Sequence, residues 1–171
     1  NMKISWFISH PLDLWQNYIN VIPEEERNDL VSAYYKYLTS EDKELQRKAA
    51  RAWSAWEGST SSLIAKPAIP NHFLRDHIAL SLARIECHYF VNNSFLRKDQ
   101  LLEDVYKLAG IPGVIIHGRY DVVCPIEQAY ILHQAWPDAE FIIAPTSGHS
   151  AMEPQIVDAL VCATQKFSQL T

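Results

Sequence analysis

Glycine is scarce in this chain, and its placement excludes one motif outright. The five glycines, Gly58, Gly110, Gly113, Gly118 and Gly148, include no pair that brackets a serine as G-x-S-x-G. The sharp strand-to-helix turn that exposes a nucleophilic serine is therefore missing from these 171 residues. Cysteine is also sparse. Cys87, Cys124 and Cys162 are odd in number, far apart and without C-x-x-C spacing, which argues for a reducing compartment, the cytoplasm by default, over a disulfide framework. There is no basic surplus: the formal net charge is −5, so nucleic acid is not an expected partner. No apolar run approaches the roughly 18 residues of a membrane span. The opening Asn1-Met2-Lys3-Ile4 is too short an apolar stretch before Ser9-His10-Pro11 to read as a secretory signal. No metal, cofactor or membrane partner is expected.

What is present is an ordinary globular composition, 48% hydrophobic and 20% charged, in a chain long enough to bury a full core. Its texture changes near residue 110. Residues 11 to 108 contain one glycine and many helix formers and aromatics, so this half is expected to be helical. Pro23 followed by Glu24, Glu25 and Glu26 suits a helix opening, because proline fits the first turn and the acids oppose the positive dipole end. That helix is expected to run through Leu30, Val31, Tyr34 and Leu38. Thr39 or Ser40 can cap the next, in which Leu45, Ala49, Trp53 and Trp56 recur as a buried stripe and Gly58 supplies the stop. Residues 59 to 71, with Pro67 and Pro70, read as a connector. A third helix carries Ile78, Leu82, Ile85 and Tyr89 on one face.

After Gly110-Ile111-Pro112-Gly113 the pattern becomes strand and helix in alternation. Val114 to His117 reads as a strand of the kind buried on both faces of a parallel sheet, Glu127 to Trp136 as a helix and Phe141 to Ala144 as a second strand. Pro154 to Phe167 closes the chain as a helix with Ile156, Val157, Leu160, Val161 and Thr164 inward. The expected class is α/β, with a helical domain over residues 1–108 and a β-α-β-α unit over 109–171. Two βα units leave both sheet edges open and both faces to be covered. Further strands are expected, first from an upstream segment, otherwise from a second polypeptide or from exchange between copies.

Two segments carry the chemistry: His117-Gly118-Arg119-Tyr120-Asp121 and Ser147-Gly148-His149-Ser150. Each follows a strand, and in open α/β sheets catalytic groups gather beyond the C-terminal strand ends. A histidine acting as general base needs a carboxylate on one ring nitrogen to fix its tautomer and stabilise the imidazolium, and Asp121 can do this for His149. Taken singly, Asp121 reads as a turn residue and His149 as a loop residue. Together, acid then histidine one βα unit apart, they match the order of an α/β-hydrolase triad whose first member is absent. His117 is expected beneath the site, holding the loop by a hydrogen bond, and Arg119 to brace the turn. Cys124, close to Asp121, is expected to pack near the acid loop rather than act as a nucleophile.

The stretch Ile111 to Pro125, with Ala135-Trp136-Pro137-Asp138-Ala139-Glu140 and Ser147-Gly148-His149-Ser150, resembles the C-terminal part of the prolyl aminopeptidases (proline iminopeptidases), serine peptidases of the α/β-hydrolase fold. Ala52-Trp53-Ser54-Ala55-Trp56-Glu57-Gly58 and Ala83-Arg84-Ile85-Glu86-Cys87-His88-Tyr89-Phe90 resemble that family's helical cap. The resemblance implies a partial α/β-hydrolase preceded by a cap. It further implies that Asp121 and His149 are the triad acid and base, and that Glu57 and Glu86 bind the free amino group of a peptide with N-terminal proline. Two carboxylates suit a secondary ammonium in a partly dry pocket. On residue type alone both glutamates read as solvated helix positions. Phe7, beside Trp6, resembles the aromatics that line the family's proline pocket, although the segment from Trp6 to Trp15 is several residues shorter than its counterpart.

The family's His-Gly-Gly-Pro-Gly oxyanion segment is absent along with the serine elbow. Three readings follow. The chain is the acid, base and recognition portion of a prolyl aminopeptidase, inactive alone and competent with its missing half. Alternatively it is a non-catalytic remnant that binds an amine or a partner. The third reading, another α/β-hydrolase such as an esterase or epoxide hydrolase, leaves Glu57 and Glu86 without purpose. Open strand edges and uncovered apolar faces make self-association an expectation, by exchange of elements between copies.

Overall fold

A computed structural model describes residues 12–64 and 75–169. The chain divides into two compact units, one of Asn1–Ser59 and Ala65–Arg97, the other of Thr60–Ile64 and Lys98–Thr171. Among the described residues, no helix is long and apolar enough to cross a membrane.

The first unit is helical: α1 (Leu12–Ile19), a 3-10 turn (Glu24–Asp29), α2 (Leu30–Leu38), α3 (Lys43–Thr60) and α4 (Asp76–Val91). The single helix expected from Pro23 to Leu38 is broken. Asp29 leaves helical geometry at φ −138°, and its side chain accepts from the backbone N–H and the hydroxyl of Ser32 at 3.1 and 2.6 Å, so α2 starts anew with its own cap. The cap of α3 is Asp42, whose Oδ1 accepts from Glu44 N at 2.9 Å and Leu45 N at 3.1 Å, while Thr39 closes α2 instead. Gly58 does not stop α3, which continues to Thr60.

Aromatic rings and small residues share the core of this unit. Tyr34 donates its hydroxyl hydrogen to Tyr18 O at 2.6 Å, and the two rings stack at 4.6 Å. That bond satisfies a buried phenol that would otherwise be costly. Trp53 meets Tyr34 edge-on at 5.3 Å, with Ala49 and Ala50 buried one turn before it on α3. The expected face of α4 is corrected. Ile85 and Tyr89 are exposed, and the buried stripe is Ala79, Ala83 and Cys87, which recur every fourth residue. Side chains this small let α4 lie close against α2, a fit that isoleucine and tyrosine would prevent.

The second unit contains a short helix α5 (Gln100–Glu103), β1 (Gly113–Gly118), α6 (Ile126–Ala135), β2 (Ala139–Ala144) and α7 (Pro154–Phe167). The strands pair in parallel, from Gly113 opposite Ala139 to Gly118 opposite Ala144. The β-α-β-α order matches the sequence reading, while its burial does not. β1 is half-buried along all but its last residue, and of the inward set expected on α7 only Ile156 is buried, with Val157, Leu160 and Val161 exposed. A two-stranded sheet is too narrow to cover the apolar face of a helix packed on it.

Candidate active site

Parallel pairing puts the C-terminal ends of β1 and β2 side by side, and the loops that follow cross-link there. Arg119 N donates to Ala144 O at 3.0 Å and Tyr120 N to Ser147 O at 3.0 Å. The approach is close enough to require glycine. A Cβ on Gly118 would run into the carbonyl oxygens of Gly148 and Ser147.

Asp121 divides its carboxylate between two tasks. Oδ1 accepts from Val123 N at 3.0 Å and Cys124 N at 2.8 Å, which folds the acid loop. Oδ2 faces His149 Nδ1 at 3.0 Å and His117 Nε2 at 3.5 Å. A carboxylate only accepts, so Nδ1–H of His149 donates and Nε2 remains for proton transfer. His117 Nε2 also lies 2.9 Å from Cys124 O; a carbonyl only accepts, so this nitrogen carries its hydrogen and ties the loop, as the sequence suggested.

Electrostatics follow from this arrangement. Burial pushes the Asp121 carboxyl up, but the hydrogen bond from His149, the Cys124 N–H and the two nearby imidazoles outweigh it and hold Asp121 below the usual carboxylate range. His149 moves the other way. Its hydrogen bond with Asp121, then one with the Cys124 side chain, push it up to about 10 against an opposing effect of burial. Cys124 is exposed and free, so the expected packing role becomes a direct contact with the histidine.

The histidine loop is held from behind. Glu153 Oε2 accepts from Gly148 N at 2.9 Å and its Oε1 from Leu63 N at 2.7 Å, while Ser150 N donates to Ser61 O at 2.7 Å.

In the helical unit, Glu57 and Glu86 sit half-buried on α3 and α4. Trp53, one turn before Glu57, donates its indole N–H to Glu86 Oε2 at 2.6 Å. Burial raises Cys87, to about 12, and Tyr18 well above the ordinary phenol range, and the charges of Glu57 and Glu86 add to both shifts. Two carboxylates therefore bear on the same pair of core residues, Tyr18 and Cys87. The Phe90 ring, one turn beyond Glu86, lies 6.3 Å from Trp53.

The structure thus brings Asp121 together with His149 and sets Glu57 and Glu86 about one buried cluster; these pairs belong to different units. Phe7 and Trp6 lie outside the described residues. No group of three or more histidine, cysteine or acidic side chains able to hold a metal ion occurs among the described residues. Sequence reasoning missed two residues. Trp53 reads as core by periodicity, and the only signal for its polar role is its position one turn before Glu57. Glu153, which drew no reading from the sequence, stands at the N-cap of α7, yet its side chain makes no cap hydrogen bond and serves the loops instead.

No protein-family model matches the chain. Among curated proteins, it is similar to the proline iminopeptidase of Xylella fastidiosa strain Temecula1, with 54% identity over 171 aligned positions, covering 96% of this chain and 55% of that protein. It is 54% identical to the proline iminopeptidase of Xanthomonas citri, covering 97% of this chain and 55% of that protein. With the proline iminopeptidase of Arabidopsis thaliana it shares 44% identity, covering 98% of this chain and 46% of that protein. The chain spans about half the length of the curated relatives it matches.

Proposed function

Because the chain belongs to the proline iminopeptidase family along the half of those proteins that it spans, we propose that it carries the acid, base and amine-recognising residues of a serine aminopeptidase that releases N-terminal proline from peptides. The observation that carries this reading is the 3.0 Å contact of His149 Nδ1 with Asp121 Oδ2 at adjacent parallel strand ends.

His149 accepts the proton of a serine hydroxyl at Nε2 as that oxygen attacks the prolyl carbonyl, and returns it to the leaving amine. Asp121 stabilises the imidazolium between these transfers. Glu57 and Glu86 hold the substrate's secondary ammonium, which discriminates against peptides with a blocked amine. Neither carboxylate has a task in an esterase or epoxide hydrolase acting on neutral substrates.

The serine belongs to no elbow within the 171 residues, and His149 at a pKa of about 10 is predominantly imidazolium at neutral pH. A charged imidazole accepts no proton. The 171-residue chain by itself is therefore expected to turn over no prolyl substrate. Closing the site against water disfavours the charged form, lowers the histidine pKa and restores the neutral imidazole that can accept a proton. These features also favour a second reading, a protein that binds an N-terminal proline without turnover. Three free cysteines fit a reducing compartment, which supports a cytoplasmic protein under either reading.

A proline amide assay tests the proposal. The pure chain is expected to be silent. Mixing it with a segment of a relative that bears the G-x-S-x-G elbow and oxyanion loop is expected to give turnover that falls by about 10⁴-fold or more in His149→Ala. Turnover by the pure chain that His149→Ala abolishes would remove the claim of incompleteness. Silence of the mixture, with calorimetric heat from prolinamide that is lost in Glu57→Ala or Glu86→Ala, would leave the binding reading.

A further inference from the structure

We infer that Glu153 is the positioning residue of this site: its carboxylate clamps the histidine loop to the stretch 61–63 of the same unit, and so sets where His149 stands relative to Asp121. The inference rests on the reading of His149 as the base. Glu153 occupies the residue before α7, where an acidic side chain ordinarily accepts from the first backbone N–H groups of its own helix. Here its side chain makes no such bond. Both oxygens face other segments instead, Oε2 at 2.9 Å from Gly148 N and Oε1 at 2.7 Å from Leu63 N.

These two amides are not incidental ones. Gly148 immediately precedes His149, so a fixed Gly148 N–H leaves the histidine backbone few rotations by which to swing away. The other side of His149 is fixed as well, since Ser150 N donates to Ser61 O at 2.7 Å. His149 thus lies between two ties to the single stretch 61–63. Gly148 is glycine for the same reason, because a Cβ there would stand 2.9 Å from Leu63 N and push the stretch off. A carboxylate presents a separate acceptor oxygen to each of these two N–H donors, which lie on different segments. Gln has a single acceptor oxygen, and its amide nitrogen would face a second donor. Asp keeps the charge but is one methylene too short to span both amides.

The His149 titration, followed by NMR on the intact 171-residue chain, tests this without any catalytic activity. Glu153→Asp is the deciding variant because it leaves the net charge unchanged. In that variant the His149 midpoint is expected to fall from its raised position toward 6.5, as the Asp121 contact loosens. Amide exchange at Gly148 or Leu63 is expected to accelerate by about tenfold to a hundredfold, the loss of one charge-assisted hydrogen bond. Glu153→Gln, which removes the charge and one of the two acceptors together, is expected to lower the His149 midpoint as well, and Glu140→Gln, which removes a charge from the exposed Lys166 pair of the same unit, is expected to leave His149 unmoved. A His149 midpoint unchanged in Glu153→Asp would overturn the inference, whatever the fate of the amides. Failure of the peptidase reading shows elsewhere, as His149→Ala turnover equal to wild type in the reconstituted assay. If the two hold together, Glu153→Asp lowers kcat in that assay and leaves KM unchanged, since both Glu153 oxygens are engaged by backbone amides of the protein itself.

Discussion

Asp121 reaches His149 with only one of its two oxygens: Oδ2 stands 3.0 Å from the imidazole Nδ1, while Oδ1 is committed to the backbone of Val123 and Cys124. Loop folding and histidine charging can therefore be separated by one substitution. Asp121→Asn keeps an acceptor for the two loop amides and removes the charge from the histidine. The expected result is a His149 midpoint that drops from about 10 toward 6.5, read by NMR titration with the loop resonances in place.

The same pair makes stability depend on pH in a defined direction. Folding raises His149 above 6.5, so its contribution is complete below that pH and is lost as the pH climbs toward about 10. Asp121 is held below 3.8, so its contribution is complete above that pH and is lost on further acidification. The stability gap between wild type and Asp121→Asn is expected to be widest between those two values. Urea midpoints across the pH range check it, and a gap that widens from neutral pH to pH 9 would contradict it.

The corrected register of α4 gives a test that does not involve the site. Ala83 is fully buried against the helical core and Ile85 is 60% exposed. Ala83→Leu is expected to cost about 1–3 kcal/mol through overpacking. Ile85→Ala should stay within about 0.5 kcal/mol. Chemical denaturation that reverses this order would restore the face first read from the sequence.

Trp53→Phe keeps an aromatic ring in the core and deletes the donor to Glu86 Oε2. The lost bond involves a charged acceptor, so destabilisation of about 1.5–3 kcal/mol is expected. Calorimetry should also show weaker binding of prolinamide, because the carboxylate loses a partner that orients it. A variant destabilised in this range with unaltered prolinamide affinity would separate Trp53 from recognition.

The apolar face of α7 predicts self-association. Val157, Leu160 and Val161 are exposed there, on a two-stranded sheet. Apolar surface and unpaired strand edges favour pairing between copies. Sedimentation is expected to show dimers or larger species that dissociate when Val157 and Val161 are changed to Lys. A strict monomer at high concentration would count against it.

The elements of the second unit were legible because their signals are local. The β-branched run around Val114 to His117, the glycines at its ends and the proline at the first position of α7 act within a few residues, and the observed strands and closing helix stand where those signals put them. The helical half was less legible where two local signals competed. Pro23 and three acids announce one helix, but Asp29 captures Ser32 and restarts it. Asp42 outcompeted Thr39 and Ser40 as a cap because it alone reaches both Glu44 N and Leu45 N.

By itself, the sequence determined the helical and β-α-β-α halves and the presence of an acid and a histidine in the loops that follow two strands. Its motifs also pointed to the family, since all of these depend on short-range chemistry and residue order. Which face of α4 is buried was decided only by the tertiary structure, because hydrophobicity ranks isoleucine above alanine whereas close helix packing selects the smaller side chain. The division of Asp121 between loop and histidine, the indole tie to Glu86, and the turning of Glu153 from its own helix to Leu63 and Gly148 were likewise decided in three dimensions. Each joins groups distant in sequence whose hydrogen-bonding capacity is written in the chain, but whose partners are chosen only when the segments meet.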